Sequence, residues 1–340
     1  MSTSRKSLPR PPSRTLKGFR IVGTGSYVPD LVVTNDQLRE RFGCDSEWIV
    51  RRTGILERRH ALPHQATSDL CYEAGRRCIE SAGVNPRDID LLILATFTPD
   101  MPLPPSACHV QDRLGLSCAA ADLHAACSGF MYALVTGATY VLSGASELAL
   151  IIGGDCNTRV VNPTDLKTFP LFGDGAGAVL LARGRPDQGL LSFSLGADGS
   201  GADLLTRPAG SSRYPCTPEL LAQNMHFVYM DGRAVFRWGV TILCETIREV
   251  LHKTGLQPND VDLYLPHQAN MRIINAAVED LGIAPEKVYC NLCRYGNTSA
   301  GSIPLLIDEA LREGRIRSGS LLVLSGFGAG LSWGTAVLRW

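Results

Sequence analysis

Two stretches of the chain are versions of one another. GVNPRDIDLLILATFT at 83–98 and GLQPNDVDLYLPHQAN at 255–270 share a glycine, a proline three residues on, an Asp-apolar-Asp step and then an apolar strand. Each is followed by a helical stretch closing on Leu-Gly, HVQDRLGL at 109–116 and AAVEDLGI at 276–283, and SGASELALIIGGD at 143–155 has its counterpart in RSGSLLVLSGFGAG at 317–330. Three echoes in one order, about 170 residues apart, describe a duplicated domain and exclude a short-period solenoid. Each half must therefore build the same arrangement of helices and strands.

That arrangement is α/β. LLILATF (91–97), LALIIGG (148–154) and LLVLSG (321–326) are short and continuously apolar, as strands are when helices cover both faces of their sheet. They alternate with helical stretches, including 128–142 and 304–313, which predicts two related halves packed around buried central helices. The polar, turn-rich ARGRPDQG at 182–189 places the divide, giving halves over 18–185 and 186–340. Residues 1–17, with the basic and Pro/Ser-rich MSTSRKSLPRPPSR, read as a flexible solvated tail that lacks the apolar stretch of a secretory signal.

Thirty-three basic and thirty-three acidic residues cancel, so the global charge points to neither a nucleic acid nor a membrane, and an anionic ligand must be met locally. No apolar run is expected to reach the roughly 18 residues that span a bilayer. Eleven scattered cysteines suit a reducing cytoplasm better than a disulfide framework. Cys290 and Cys293 form one CxxC without the second pair of a structural zinc site, and are expected to pack within a strand. His60 and His64 are expected to be a loop pair, so no metal site is predicted.

The chemistry concentrates elsewhere. AACSGF around Cys127 reads as a strand turning sharply into a helix, with small neighbours that permit an exposed nucleophile elbow and a helix start that favours the thiolate. Asn297, in YGNTSAGS, follows the second Leu-Gly tag as Cys127 follows the first, and each precedes an apolar helix. His267 ends the strand of the second echo. Strand ends of an α/β sheet are where ligands bind, so the three are expected to converge on one crevice. A neutral His and an Asn amide both donate hydrogen bonds, which suits an oxyanion or enolate better than activation of a thiol. FGDGAGAV (172–179) and GFGAGLSWG (326–334) are not dinucleotide fingerprints; they are expected to let backbones approach closely, and the second could bring a backbone N–H to the thiol.

AACSGF, LPHQANMRII, YGNTSAGSIP, GFGAGLSWGTAVLRW and SEWIVRRTGI together resemble the β-ketoacyl-acyl-carrier-protein synthase III family, the initiating condensing enzymes of type II fatty-acid synthesis, from about residue 18 to Trp340. The resemblance implies a thiolase-like fold of duplicated halves in five layers, α-β-α-β-α, and a cytoplasmic homodimer that needs no cofactor. It implies that Cys127 takes an acyl group from an acyl-CoA and that His267 and Asn297 serve the decarboxylative condensation with malonyl-acyl-carrier protein. Backbone N–H groups of Cys127 and Ala329 would form the oxyanion hole. Trp48, Arg52, Lys167 and Gly232 would hold CoA and its pantetheine, Leu103 would border the acyl pocket, and Arg237 and Arg272 would receive the carrier protein. Four positions depart from the family pattern. Leu166 stands where a stacking Arg is expected, Leu103 where some acetyl-specific members have Phe, and Glu279 and Asp280 where a basic pair is frequent. These departures keep open a related condensing enzyme or acyltransferase of secondary metabolism, or a non-catalytic relative. A thiolase is disfavoured, because SGFGAGLSW lacks the second active cysteine.

Overall fold

The structure, a computed structural model, describes residues 10–340. The N-terminal half runs β1 (Arg14–Lys17), β2 (Phe19–Tyr27), β3 (Leu31–Thr34), α1 (Asn35–Phe42), α2 (Ser46–Thr53), β4 (Glu57–His60) and α3 (Thr67–Ala82). It continues with β5 (Leu91–Ala95), α4 (Ser106–Arg113), β6 (Ala119–Leu123), α5 (Gly129–Ser143), β7 (Leu148–Asp155) and β8 (Gly175–Arg183). The C-terminal half begins β9 (Gly189–Ala197), β10 (Leu205–Thr206), α6 (Pro218–Ala222), β11 (Tyr229–Met230), α7 (Gly232–Thr254) and β12 (Leu263–Pro266). It ends with α8 (Met271–Leu281), α9 (Leu292–Tyr295), α10 (Ser302–Arg312), β13 (Leu321–Gly328) and β14 (Ser332–Arg339).

Two five-stranded sheets, ordered β2-β8-β7-β5-β6 and β1-β9-β14-β13-β12, carry the duplication. β5 lies parallel to β7 as β12 does to β13, and the next two strands, β8 and β2 or β14 and β9, follow antiparallel. The echoed residues explain the repeat. In each copy the proline opens a 3-10 turn, Pro86–Asp88 or Pro258–Asp260, that feeds the strand. The second Asp of each step then anchors the neighbouring strand: Glu147 N–H donates to Asp90 and Leu321 N–H to Asp262, both at 2.7 Å. The Leu-Gly tags close on Gly115 and Gly282, at φ 67° and 63°, in the left-handed conformation that stops a helix without steric cost.

Helices α3 and α4 cover the outer face of the first sheet, and α7 and α8 that of the second. Between the sheets lie α5 and α10, giving the five layers α-β-α-β-α. The central core packs Phe130, Met131 and Leu134 of α5 against Ile303, Leu306 and Ile307 of α10 and the inner faces of both sheets. The window Ala126–Ser143, which includes α5, is apolar enough over 18 residues to pass for a membrane span, contrary to the expectation from sequence; two-thirds of it is buried between the sheets, as a central helix must be.

Glycines in the 172–179 segment set how closely the halves meet. A Cβ on Gly177 of β8 would lie 2.7 Å from the backbone of Pro304 and Leu305 in α10. The tail is shorter than predicted: Arg14–Lys17 pair antiparallel with β9 as an edge strand of the second sheet, and Arg10 forms a 2.9 Å ion pair with Glu245 of α7. Residues 1–9 of that predicted tail lie outside the described residues.

Gly177→Ala should lower stability by about 1–3 kcal/mol, because a helix backbone cannot yield as a side chain can. Gly83→Ala, at φ 65° in open space, should cost only about 1–2 kcal/mol of left-handed strain. Denaturant melts of the two variants check the ordering.

Candidate active site

Two turns meet at the centre of the fold. After β6 the chain enters a 3-10 turn, Ala126–Ser128, that leads straight into α5, with Ala126 at φ 45°. In the second half Ser299–Gly301 leads into α10, with Ser299 at φ 52°. The left-handed residues and the helix starts superpose the repeats, so the counterpart of Cys127 is Ala300. Asn297, expected at the equivalent place, stands three residues earlier. A Cβ on Gly129 would sit 3.7 Å from that of Ala300, an ordinary contact, so the two turns approach to van der Waals distance.

Cys127 is buried, not the exposed elbow expected. Burial pushes its thiol up to about 12, against the opposing pull of the Ser299 hydroxyl, which donates to Sγ at 3.4 Å, and of its own N–H; Asp155 adds to the rise. The thiol is therefore protonated in the resting site.

β13 gathers the other groups. The Ser325 carbonyl accepts the backbone N–H of His267 at 2.7 Å, and the Phe327 ring meets the imidazole edge-on at 5.6 Å between centroids. Gly328 lies against Cys127, since a Cβ there would be 2.8 Å from that of the cysteine. Gln268 clamps the segment after β12: its side chain donates to Pro266 O and accepts from the N–H groups of Asn291 and Leu292. His267 is 1% exposed, and desolvation lowers its pKa to about 3, so it is a neutral imidazole. The Ser299 N–H donates to Asn297 Oδ1 at 2.9 Å, which leaves the amide Nδ2 as the free donor end.

Cys127 lies on an inner cavity of about 730 Å³ that Ala329 also lines, together with Phe97, Tyr132, Phe172 and Leu205. An outer cavity of about 1180 Å³ collects Trp48, Arg52, Leu166, Lys167, Gly232, Arg237 and Arg272, which the sequence scatters over more than 220 positions. Val228 borders both. The outer cavity's cations Arg52, Lys167, Arg233, Arg237 and Arg272 face two carboxylates already occupied by local bonds, Asp165 with Thr168 and Asp231 with the first N–H groups of α7. The Arg52 guanidinium lies 5.6 Å from the centre of the Trp48 ring. Asp45 caps α2, Asn270 donates to Arg52 O at 3.1 Å, and Gly54 packs on Met271, so the WIVRRTG and HQANM motifs are fastened to each other.

Leu103 is 81% exposed on the surface loop before α4 and lines neither cavity of its own chain. Other expectations are corrected. Asp280 is paired with Arg248 at 2.7 Å, which compensates half of the acidic pair. Cys290 and Cys293 lie in no strand: Cys290 precedes α9 and Cys293 is inside it. His60 closes β4 and packs edge-on against Phe169; only His64 is in a turn. Sequence reasoning missed Ser299 and Asp155. Asp155, wholly buried, accepts from Thr96, Phe97 and Thr98 on one oxygen and from the Ala300 N–H at 3.1 Å on the other. Nothing in local sequence marks it, because its partners are 57 to 145 residues away.

Residues 251–340 match the C-terminal family model of 3-oxoacyl-[acyl-carrier-protein] synthase III, and residues 121–199 match that family's other model. The β-ketoacyl-[acyl-carrier-protein] synthase III of Rhodopirellula baltica is 52% identical over 96% of this chain and 99% of its own. The crystal structure of the synthase III from Thermus thermophilus superposes with a TM-score of 0.88 at 41% identity, covering 94% of this chain and 98% of its own. The priming β-ketosynthase of the R1128 polyketide pathway does so with 0.86 at 34%, over 99% and 98%. Likeness at this level, sustained along nearly the whole chain and over the same sheet-helix layers, means that the chain belongs to the β-ketoacyl-acyl-carrier-protein synthase III family, acyltransferases with the thiolase fold.

Proposed function

We propose that the chain makes the first carbon-carbon bond of a fatty acid by joining an acyl-CoA primer to malonyl-acyl-carrier protein through an acyl-cysteine. The observation that carries this reading is the meeting of the Cys127 turn with the Asn297–Ser299 turn and the end of β13, beside a basic outer cavity. In the first half-reaction Cys127 Sγ attacks the thioester carbonyl. The backbone N–H groups of Cys127 and Ala329 hold the oxyanion, and CoA leaves with the thiol proton. In the second, His267 Nε2–H and Asn297 Nδ2 hold the thioester oxygen of the malonyl group while CO2 departs. The electron pair released from the C–CO2 bond forms the new bond to the acyl carbon, the bond from that carbon to Sγ breaks, and the Cys127 thiolate takes a proton from solvent to return to the resting thiol. No electrons enter or leave, so the reaction needs no redox cofactor. Trp48, Arg52 and Lys167 take the nucleotide, Gly232 passes the pantetheine, and Arg237 and Arg272 meet the acidic carrier.

A homodimer fits the edges of the fold. β6 ends its sheet with three alanines and, among the described residues, an unpaired edge, which a second copy would cover. Leu103, exposed in its own chain, can border only another copy's acyl pocket. A priming ketosynthase of secondary metabolism is the second reading, supported by the 34% identity to the R1128 enzyme and by Leu166 in the outer cavity.

Intact mass after incubation with acetyl-, isobutyryl-, hexanoyl- or octanoyl-CoA should rise by one acyl group and not in Cys127→Ala, and malonyl-acyl-carrier protein should then remove that mass as a β-ketoacyl product. Acylation by none of the four would end the synthase reading; transfer to malonyl-CoA but not to the carrier protein would favour the second one.

Arg237→Glu and Arg272→Glu should each raise KM for malonyl-acyl-carrier protein about tenfold or more, and KM for malonyl-CoA much less. An equal rise for both substrates would remove these residues from carrier docking.

With the imidazole neutral above a pKa of about 3, the condensation rate should show no loss near pH 6.5 attributable to His267 as the pH falls from 8 to 5. Comparing the profile with that of His267→Asn checks this: an inflection at 6 to 7 present only in the parent would contradict it.

A further inference from the structure

We propose that Ser299 is a catalytic residue of the acylation half-reaction: its hydroxyl donates a hydrogen bond to Cys127 Sγ as the sulfur gains charge. The inference rests on the acyl-cysteine reading and adds a donor that it does not contain.

The geometry has three parts. The Ser299 hydroxyl donates to Cys127 Sγ at 3.4 Å, within reach for a sulfur acceptor, and both residues are buried. The backbone holds the hydroxyl there, because Ser299 adopts φ 52°, outside the usual range of an L-residue, at the start of a 3-10 turn. The next residue, Ala300, is tied by its N–H to the buried carboxylate of Asp155 at 3.1 Å. The turn is thus pinned beside the thiol, and the Ser299 hydroxyl, which the Asp155 carboxylate also engages, has only its O–H to turn toward the sulfur as it becomes anionic.

The need for such a donor follows from burial. The thiol sits where charge is unfavourable, and Asp155, at the end of β7, makes it more so. Of the other titratable or charged groups around it, His267 is neutral, while His124, Arg207 and Tyr132 line the cavity beyond. The N-terminus of α5 and the Cys127 N–H supply part of the stabilisation, and the Ser299 hydroxyl is the side-chain donor that reaches the sulfur. The same residue serves the second half-reaction differently, since its backbone N–H, not its hydroxyl, fixes Asn297 Oδ1. The two roles can therefore be separated by removing the hydroxyl alone.

Ser299→Gly does this, keeping the N–H and accepting the left-handed conformation without strain. Three rates are measured on the full chain: alkylation of Cys127 by iodoacetamide between pH 6 and 10, acylation by acetyl- or hexanoyl-CoA followed by mass, and decarboxylation of malonyl-acyl-carrier protein in a Cys127→Ala background. A charge-assisted bond of ordinary strength predicts alkylation and acylation slower by about 10- to 100-fold at pH 7. It also predicts that decarboxylation, which does not use the sulfur, falls less than alkylation does. Ser299→Asn, which tolerates positive φ and restores a side-chain donor, should recover part of the alkylation rate. Alkylation unchanged in Ser299→Gly overturns the proposal. So does an equal fall in all three rates, which would mean that the residue only holds the turn. Alkylation needs no substrate, so it judges Ser299 even if no acyl-CoA acylates the parent enzyme, the outcome that would instead end the synthase reading.

Discussion

One buried carboxylate connects the parts on which the site depends. Asp155, at the last position of β7, accepts from the loop after β5 through Thr96, Phe97 and Thr98 and from the second half's turn through the Ala300 N–H. Burial raises its pKa, and its partners act against that rise. A buried charge is tolerated only when its lone pairs are filled, so the two halves must dock in the one register that supplies those donors. Two positions upstream, a Cβ on Gly153 would lie 2.3 Å from the Ala300 carbonyl oxygen, which leaves the turn no room to shift. The starts of α5 and α10 meet because of this joint.

Their meeting sets the electrostatics. Packed between two sheets, Cys127 and His267 both lose water, and each is driven to its neutral form. On the proposed mechanism a neutral thiol must acquire its charge as it reacts, while a neutral imidazole is already the hydrogen-bond donor that an enolate oxygen requires. One physical cause, desolvation, would then handicap the one and prepare the other. The donors around Cys127 are backbone and hydroxyl groups fixed by the fold, which lose nothing to reorganisation.

The outer cavity follows the opposite logic. Its cations are exposed and screened, and they line a surface built from α2, the 162–171 loop, the 223–231 segment and the start of α7. The chain carries no net charge, so any attraction for an anionic ligand has to come from a local concentration of arginine and lysine such as this one. The pairing of Asp280 with Arg248 keeps part of the acidic α8 end from opposing it.

The echoes at 83–98 and 255–270 determined the duplicated α/β halves, because their residues act on their immediate surroundings. Proline makes the turn, Asp anchors the next strand, and the glycine of the tag that follows ends the helix. The motifs around Cys127, His267 and Asn297 stand out for the same reason, since a cysteine between small residues and a polar group at a strand end are marked by their neighbouring letters. Only the tertiary structure decided what those groups experience. It buried Cys127, paired it with Ser299 across 172 positions, and revealed Ala300 as its true counterpart. It also drew Arg14–Lys17 into a sheet and left Leu103 exposed. The physical reason is that burial, pKa and long-range hydrogen bonding depend on which elements pack together, and packing between residues more than a hundred positions apart leaves no periodic trace along the chain.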